Sequence, residues 1–226
     1  MYAGPLLHEP MPALRLPIDT ARLRLRLPSE PDVEPWYRIL SNPEVEELMA
    51  PEEPWTRPRV RAKVRLARRT ARSGEAYELV VAVRASDEVV GRVALKQIVR
   101  GPERRATLAY WTARPSWGRG YTSEAVRGLI AAAYRDLGLH RIDASVLAFN
   151  DRSMRLLESV GFRREGEKRE AFLHRGRWIS LHLYGLLARE FRRSPGGPRG
   201  SGPSRSAPTR SRPRRSGGVS RPHRGG

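Results

Sequence analysis

The residues best placed for chemistry surround two closely spaced glycines, Gly118 and Gly120. They separate a predicted strand over residues 107–112 from a helix predicted to begin at about Thr122. Glycine lets the backbone approach a ligand closely, and the first amides of a helix have no partner within that helix. A strand, a glycine turn and a helix N-terminus together suit a pyrophosphate, although a plain tight turn has the same pattern.

A second polar pair follows the next predicted strand, with Asn150 at the start of a short helix and Ser153 in its first turn. Asparagine is a preferred N-cap residue, so a purely structural role explains Asn150 on its own. Gly161 marks the end of this helix. We therefore keep two roles open for this pair, helix capping and contact with a ligand.

The hydrophobic periodicity predicts the elements that position these residues. Helices are expected at 32–40, 58–72, 123–137 and 150–159, and strands at 21–27, 77–83, 89–99, 107–112, 141–147, from Phe162 onward and at 179–187. The strands at 77–83 and 89–99 are expected to form a hairpin that turns at Ser86-Asp87. This order predicts an α/β (α+β) domain built on one mixed sheet.

The composition of the chain excludes several classes of protein and of catalytic site. The chain has 226 residues and no cysteine, which excludes a disulfide scaffold, a thiolate zinc site and a cysteine nucleophile. No apolar run is long enough to span a membrane, so we expect a cytoplasmic protein that does not enter a membrane. We also expect no bound metal. The net charge is +19, but residues 193–226 alone hold nine arginines and no acidic residue. Only three of the 43 basic residues are lysines, which also fits a GC-rich codon bias.

Three segments are expected along the chain. Residues 1–17 form a flexible N-terminal segment, residues 18–192 form the folded domain, and residues 193–226 form a disordered tail rich in Arg, Gly, Ser and Pro. The tail has almost no apolar side chain with which to offset the entropy of ordering. It could make weak, nonspecific contacts with nucleic acid, but it has no aromatic residue to stack on bases.

The segment 106–125 resembles the acyl-coenzyme A binding motif of the GNAT N-acetyltransferase superfamily, and most closely that of its RimJ/RimL-type branch. Trp117 stands where Gln or Arg is usual, and Thr122 stands where Gly or Ala is usual. The N-x-x-S segment 150–153 with its downstream Gly-Phe, and the Gly-Arg-Trp segment 176–178, match further signatures of the family. The resemblance covers about residues 18–190.

The resemblance implies a single domain with a central mixed, mostly antiparallel twisted sheet flanked by helices, and acetyl-CoA as co-substrate. It also implies a role for each matching residue. Ser153 would approach the thioester sulfur and assist the departing thiolate, and Asn150 would bind the pantetheine arm. The pyrophosphate would be held by the loop residues Trp117, Gly118, Arg119, Gly120, Tyr121, Thr122 and Ser123.

The general base is harder to assign, because Thr107 stands where many members of the family carry a glutamate. Ser180 likewise stands where a carboxylate is frequent. Of the remaining candidates we favour Glu170 as the catalytic carboxylate. The other candidates are Glu103, His174, which is expected in a hairpin loop, and His182, which is expected on the exposed face of its strand.

An acidic cluster lies in the predicted region between the first two helices, at Glu44, Glu46, Glu47, Glu52 and Glu53. It could attract a cationic acceptor, or it could simply be a solvated surface. The neighbouring Trp36 and Trp55 are expected to serve local packing.

The sequence thus predicts an acetyl-CoA-dependent N-acetyltransferase that modifies a primary amine. The first choice of acceptor is a protein N-terminal α-amine, as on a ribosomal protein, and the alternative is a small-molecule amine. A different class also stays open, namely a non-catalytic protein of the same fold that associates with ribosomes or RNA.

Overall fold

The computed structural model describes residues 12–49, 51 and 53–191. The tail assigned to residues 193–226 lies outside the described residues, as do Glu52 and residues 1–11 of the expected N-terminal segment. Residues 12–17 pack with the domain, because Leu14 is buried and its amide donates a hydrogen bond to the Tyr77 hydroxyl over 3.1 Å. The described part of the segment expected to be flexible, residues 12–17, thus contacts the domain through Leu14.

Eight strands form one sheet in the order β1-β2-β3-β4-β5-β6-β8-β7. The strands are β1 Ile18–Asp19, β2 Leu23–Arg26, β3 Tyr77–Val83, β4 Val89–Val99, β5 Arg105–Thr112, β6 Arg141–Leu147, β7 Arg163–His174 and β8 Arg177–Leu187. All neighbouring strands are antiparallel except β5 and β6. The predicted mixed, mostly antiparallel sheet is confirmed.

Helices cover both faces of the sheet. They are α1 Val33–Leu40, α2 Pro43–Met49, α3 Arg57–Ser73, α4 Tyr121–Asp136, α5 Asp151–Val160 and α6 Ala188–Phe191. Alternate residues of β3 point to opposite faces, so Leu79 and Val81 pack with α4 whereas Val80 and Ala82 pack with α1 and α3. Because both faces of β3 are covered, its sequence is a continuous apolar run. None of the described helices is both long and apolar enough to cross a membrane.

Helix α2 lies between the predicted helices 32–40 and 58–72, where no element was expected. Asn42-Pro43 is compatible with the end of a helix, but the Asn42 side-chain oxygen accepts hydrogen bonds from the amides of Glu44 and Val45 at 3.1 and 3.3 Å. Proline is well tolerated in the first turn of a helix because its missing N–H has no helical partner there. The pair therefore begins a helix, which places Val45, Leu48 and Met49 beside the cleft described below.

Strand β7 forms one edge of the sheet and is irregular. Its pairing with β8 shifts register between Arg164 and Gly166 and again between Lys168 and Phe172. Glu170 lies within the second irregularity, with a φ of 47°. Nine of its twelve residues are exposed, namely residues 163–165, residues 167–171 and Leu173.

Candidate active site

A cleft with a volume of about 400 Å³ lies where β5, the glycine loop, α4, α5 and α2 meet. The sequence-predicted residues Trp117, Gly118, Gly120, Thr122, Ser123, Asn150 and Ser153 all line it. Arg119 and Tyr121 belong to the same loop and helix, but they are not among its lining residues. We call this cavity the main cleft.

The loop between β5 and α4 has the backbone geometry that the two glycines permit. Gly118 and Gly120 have φ values of 78° and 74°, in the left-handed region that favours glycine. Glu124 is the first residue of α4 whose amide bonds back along the helix, to the Gly120 carbonyl at 3.1 Å. The amides of the preceding residues of α4 are therefore available to an anion at the positive end of the helix dipole.

Arg22, the residue directly before β2, holds the outer side of this loop. Its guanidinium Nε contacts Glu124 at 2.7 Å, its Nη1 donates to the Arg119 carbonyl at 3.0 Å, and it stacks over the Tyr121 ring at 4.7 Å. Burial alone would raise the pKa of Glu124, but hydrogen bonds from Thr20 and Arg22 bring it below its ordinary value. Arg119 and Tyr121 thus help to fix the loop from outside the main cleft.

Trp117 joins the loop to α5. Its indole N–H donates to the Thr112 carbonyl at 2.9 Å, and the guanidinium of Arg152 lies 4.1 Å from its ring centroid. Arg114 also contacts the ring, at 4.8 Å, while pairing with Glu44 of α2 at 2.6 Å. An aromatic residue at the position where the family usually has Gln or Arg therefore connects three elements around the cleft through cation–π contacts.

Strands β5 and β6 separate beside Ser153. They pair only from Arg105 to Thr107 with Arg141 to Asp143. Beyond Thr107 a second cavity of about 150 Å³ opens between them, and it shares Tyr110, Asn150 and Ser153 with the main cleft. Backbone groups that face this gap have no neighbouring strand and can pair with an extended ligand.

Asn150 caps α5 and also lines both cavities. Its side-chain oxygen accepts a hydrogen bond from the Ser153 amide at 3.0 Å, which caps α5. Its side-chain nitrogen has no acceptor within the described part of the chain, and the residue lines both cavities. The cap therefore leaves a hydrogen-bond donor facing the space between the splayed strands.

A tyrosine that the sequence reasoning missed lies against Ser153. The hydroxyl oxygens of Tyr110 and Ser153 are 2.7 Å apart, and both residues line the main cleft. Burial raises the pKa of Tyr110 to about 12, so its hydroxyl keeps its proton at neutral pH. The alternation of β5 could have suggested Tyr110, since it lies opposite the buried Trp111.

The candidate bases lie elsewhere. Glu170 is exposed on the edge strand β7, where its amide donates to the Ser180 hydroxyl at 3.3 Å, and it does not line the main cleft. Glu103 is exposed and pairs with Arg105. Thr107 donates to the Gln97 side chain at 3.0 Å. Within the described chain, the lining of the main cleft includes no carboxylate and no imidazole.

Both histidines differ from their predicted settings. His174 is the last residue of β7 rather than a loop residue; it is buried, and its Nε2 donates to the Glu47 carbonyl of α2 at 2.6 Å. His182 is not exposed, since α5 covers that face of β8 and brings the Met154 sulfur to 3.0 Å from Nδ1. Only 14% of its side chain is accessible. Both residues connect elements around the cleft.

The acidic cluster and its neighbouring tryptophans can also be placed. Glu44, Glu46 and Glu47 lie on α2, and none of them lines the main cleft. The α2 residues that do so are apolar. Trp36 and Trp55 are 1% and 8% exposed in the core beneath α1 and α3, which confirms the packing role expected of them.

Known proteins share this architecture. The family model "Acetyltransferase (GNAT) domain" matches residues 22–163. An uncharacterized N-acetyltransferase, p20 of Bacillus licheniformis, is 32% identical over 172 residues, which are 76% of this chain and 96% of that protein. The [ribosomal protein uS5]-alanine N-acetyltransferase of Escherichia coli is 32% identical over 91 residues, which are 40% of this chain and 47% of that enzyme.

A solved structure, Mycobacterium smegmatis RimJ in complex with CoA-disulfide, aligns with a TM-score of 0.67 and 26% identity. The alignment covers 76% of this chain and 85% of that one. Family model, relatives and fold agree with the resemblance noted in the sequence. The chain belongs to the GNAT acetyltransferase family and is an N-acetyltransferase related to the ribosomal-protein acetyltransferases.

Proposed function

We propose that the protein transfers the acetyl group of acetyl-CoA to a primary amine, with a protein N-terminal α-amine as the preferred acceptor. The observation that carries this proposal is the meeting of an anion-binding helix N-terminus, a gap between splayed strands and a hydroxyl pair in one cleft. Each feature serves a different part of acetyl-CoA.

The residues present fit the co-substrate. The free amides at the start of α4, together with the Arg152 and Arg155 side chains in the cleft lining, suit its phosphates. The unpaired backbone of β5 and the Asn150 side-chain nitrogen suit the amides of its pantetheine arm. Acetyl-CoA supplies an activated thioester, and the protein has to orient it, exclude water and protonate the departing sulfur.

Ser153 and Tyr110 are the residues we assign to that proton transfer. A Tyr110 hydroxyl that donates to the Ser153 oxygen leaves the Ser153 hydroxyl proton free for the thiolate sulfur. The high pKa of Tyr110 keeps this donor protonated throughout the physiological range. Glu170, our sequence-based candidate base, has no part in this proposal because it lies outside the cleft lining.

The described lining of the main cleft contains no carboxylate or imidazole that could act as a base, and this favours an acceptor whose amine has a low pKa. At pH 7 the deprotonation of an α-amine with a pKa near 7.7 to 8.0 costs about 1 kcal/mol, whereas a lysine amine near 10.4 costs roughly 4.6 kcal/mol. A cleft without a carboxylate or imidazole in its described lining can therefore use an α-amine far more readily than a lysine. The Escherichia coli relative is named for an alanine of ribosomal protein uS5, which supports a protein acceptor.

Co-substrate binding is tested by Gly120→Val. A side chain there stands at the helix N-terminus that we assign to the pyrophosphate, so we expect calorimetry to show no binding of acetyl-CoA. Gly138→Val is the matched control, because Gly138 also has a positive φ of 61° but has open space around it at the far end of α4. Unchanged affinity in Gly120→Val, or equal losses in both variants, would contradict the assignment.

The acceptor is tested by transfer assays on three substrate sets, namely peptides with free N-termini, N-terminally blocked peptides that contain lysine, and amine metabolites. We expect the free peptides to react fastest at pH 7. Equal rates on blocked lysine peptides would contradict an α-amine acceptor, and a preference for metabolites would favour the small-molecule alternative. The cytoplasmic location and a contact of residues 193–226 with nucleic acid stay predictions.

A further inference from the structure

A small cavity of about 50 Å³ lies beneath α1 and α3, on the face of the sheet opposite α4. We call it the inner pocket, and its polar and aromatic lining includes Lys63, Glu78, Arg92, Lys96, Trp36 and Trp55. It holds charged groups in a layer that otherwise consists of apolar side chains. Arg92 and Glu78 are the deeply placed pair, with 6% and 13% of their side chains exposed, whereas Lys63 is partly buried and 41% of the Lys96 side chain is exposed. A charge as deep as that of Arg92 is rarely found without a specific partner.

The charges of the inner pocket do not balance, since three cations face one carboxylate. Arg92 Nη2 lies 2.8 Å from one carboxylate oxygen of Glu78, and Lys96 Nζ lies 3.7 Å from the other. Burial lowers the pKa of Lys63, and the negative charge that opposes this shift is that of the same Glu78. The pocket therefore has an excess of positive charge that an anion would compensate.

Hydrogen-bond donors in the pocket walls are also unused. The indole nitrogens of Trp36 and Trp55 and the Nε of Arg92 have no hydrogen-bond partner among the residues that the structure describes. These three residues are 1%, 8% and 5% exposed, so bulk water cannot satisfy them freely. A buried donor without a partner is destabilising, so a hydrogen-bond acceptor bound in the pocket would be favourable.

The inner pocket is next to the main cleft. Met49 of α2 and Trp111 of β5 line both cavities, and Trp111 directly follows Tyr110 in the chain. The two cavities therefore adjoin at Met49 and Trp111, and an acceptor whose amine lies near Ser153 and Tyr110 would have to reach past these two side chains. Since a water molecule occupies about 30 Å³ in the liquid, the pocket has room for a group the size of a carboxylate but not for a whole metabolite.

We propose that the inner pocket binds a carboxylate carried by the amine acceptor. This inference rests on the proposed function, because it specifies the acceptor of the same transfer reaction. The carboxylate can belong to an acidic side chain close to a polypeptide N-terminus or to a small amino acid. A cationic acceptor fits poorly, because the cations outnumber the carboxylate in the inner pocket and the α2 glutamates do not line the main cleft.

The first test compares matched acceptors with the full-length protein and acetyl-CoA. Peptides that begin Ala-Asp and Ala-Asn, and amino acids paired with their amides, differ in the carboxylate alone within each pair. We expect at least a tenfold higher kcat/KM for the acid in one of these pairs, mainly through a lower KM. The pair that shows the preference identifies the source of the carboxylate.

Lys63→Gln removes one cation of the pocket, and Lys168→Gln removes a lysine that is exposed on β7. We expect Lys63→Gln to reduce the acid-to-amide preference to less than threefold, whereas Lys168→Gln leaves both the preference and the activity unchanged. A preference that survives Lys63→Gln intact would contradict the proposal. So would acetylation of both members of every pair at equal rates, which would leave the proposed function standing.

Binding can be measured without turnover through the indole N–H resonances of Trp36 and Trp55, assigned with Trp36→Phe and Trp55→Phe. With CoA present, the acidic peptide or amino acid should shift these two resonances, and its amide should not. If no amine is acetylated at all, the proposed function fails, and this titration still decides whether the inner pocket binds a carboxylate. Unshifted resonances at saturating acid would mean that the pocket holds water only.

Discussion

At the scale of single residues, the contact between Tyr110 and Ser153 supplies the proton donor that we propose for the cleft. Two hydroxyls 2.7 Å apart can act as one unit, in which the loss of either partner interrupts the same transfer. The N-x-x-S signature draws attention to Ser153 alone. Its partner comes from a strand more than 40 residues earlier in the chain, so only the folded sheet brings the two together.

We predict that Tyr110→Phe and Ser153→Ala each lower kcat by about 10²-fold, in the range typical of a lost general acid. The double variant should be little slower than either single variant, because both changes remove the same proton transfer. Steady-state kinetics at saturating acetyl-CoA measure this. Fully multiplicative losses would show that the two hydroxyls act independently.

We further predict that kcat/KM rises from about pH 7 to 8.5 along the titration of the acceptor's own amine. Tyr110, with a pKa of about 12, stays protonated over this range and should cause no decline. Thr107→Ala should leave the profile nearly unchanged, since a threonine hydroxyl cannot act as a base in this pH range. Profiles that keep one fixed pKa for acceptors of different basicity would instead reveal a base on the enzyme.

At the scale of elements, the end of α4 is tied to the segment that precedes β1. The side chain of Asp136 is only 1% exposed, and it accepts hydrogen bonds from Arg15 Nη2 at 2.6 Å and from Arg135 Nε at 2.7 Å. Burial alone would raise the pKa of Asp136, but these bonds lower it from 3.8 to about 2. This carboxylate stabilises the fold above its unfolded-state pKa and loses that effect as the pH falls from about 4 to 2.

We predict that Asp136→Asn lowers the free energy of unfolding by about 1–2 kcal/mol at pH 7, a value reduced because Arg15 is largely exposed. The difference from the parent protein should shrink as the pH approaches 2. Denaturant unfolding at several pH values measures both effects, with the exposed Glu88→Gln as a control. A constant difference from pH 7 to 2 would rule out the ion pair as its cause.

The elements differ in how far local sequence determines them. The long helix α3 is predictable because Thr56 caps it, Val60, Val64 and Ala67 repeat at helical spacing, and Gly74 ends it. Helix α2 is missed, since Asn42-Pro43 fits both the end and the start of a helix and tertiary contacts decide between them. The loop and Asn150 are predictable from motif spacing, whereas Tyr110 and the inner pocket depend on contacts between distant segments.

At the scale of the whole molecule, the net charge of +19 is not needed by the proposed reaction. Arg152 and Arg155 line the main cleft, while the nine arginines after residue 192 lie beyond the last described element. The positive charge that the proposed chemistry requires is therefore local. The overall charge instead affects the solubility of the protein and its weak contacts with polyanions.

We predict that a chain ending at Arg192 keeps its kcat/KM on a small or peptide acceptor. All the residues assigned to catalysis lie within residues 45–159, so the shortened chain retains the complete cleft. Steady-state assays of both lengths measure this. A loss of more than about tenfold, equivalent to about 1.4 kcal/mol of transition-state stabilisation, would show that the removed residues contribute to the site.

The irregular edge strand β7 has a consequence for how copies of the protein behave at high concentration. An open sheet edge can recruit a strand from another molecule and begin aggregation, unless charges or bulges interrupt its hydrogen-bonding row. β7 has both devices, because it combines two register shifts with a run of charged side chains from Arg163 to Glu170. Glu170, which the sequence suggested as the catalytic carboxylate, is part of this charged edge and thus helps to prevent aggregation.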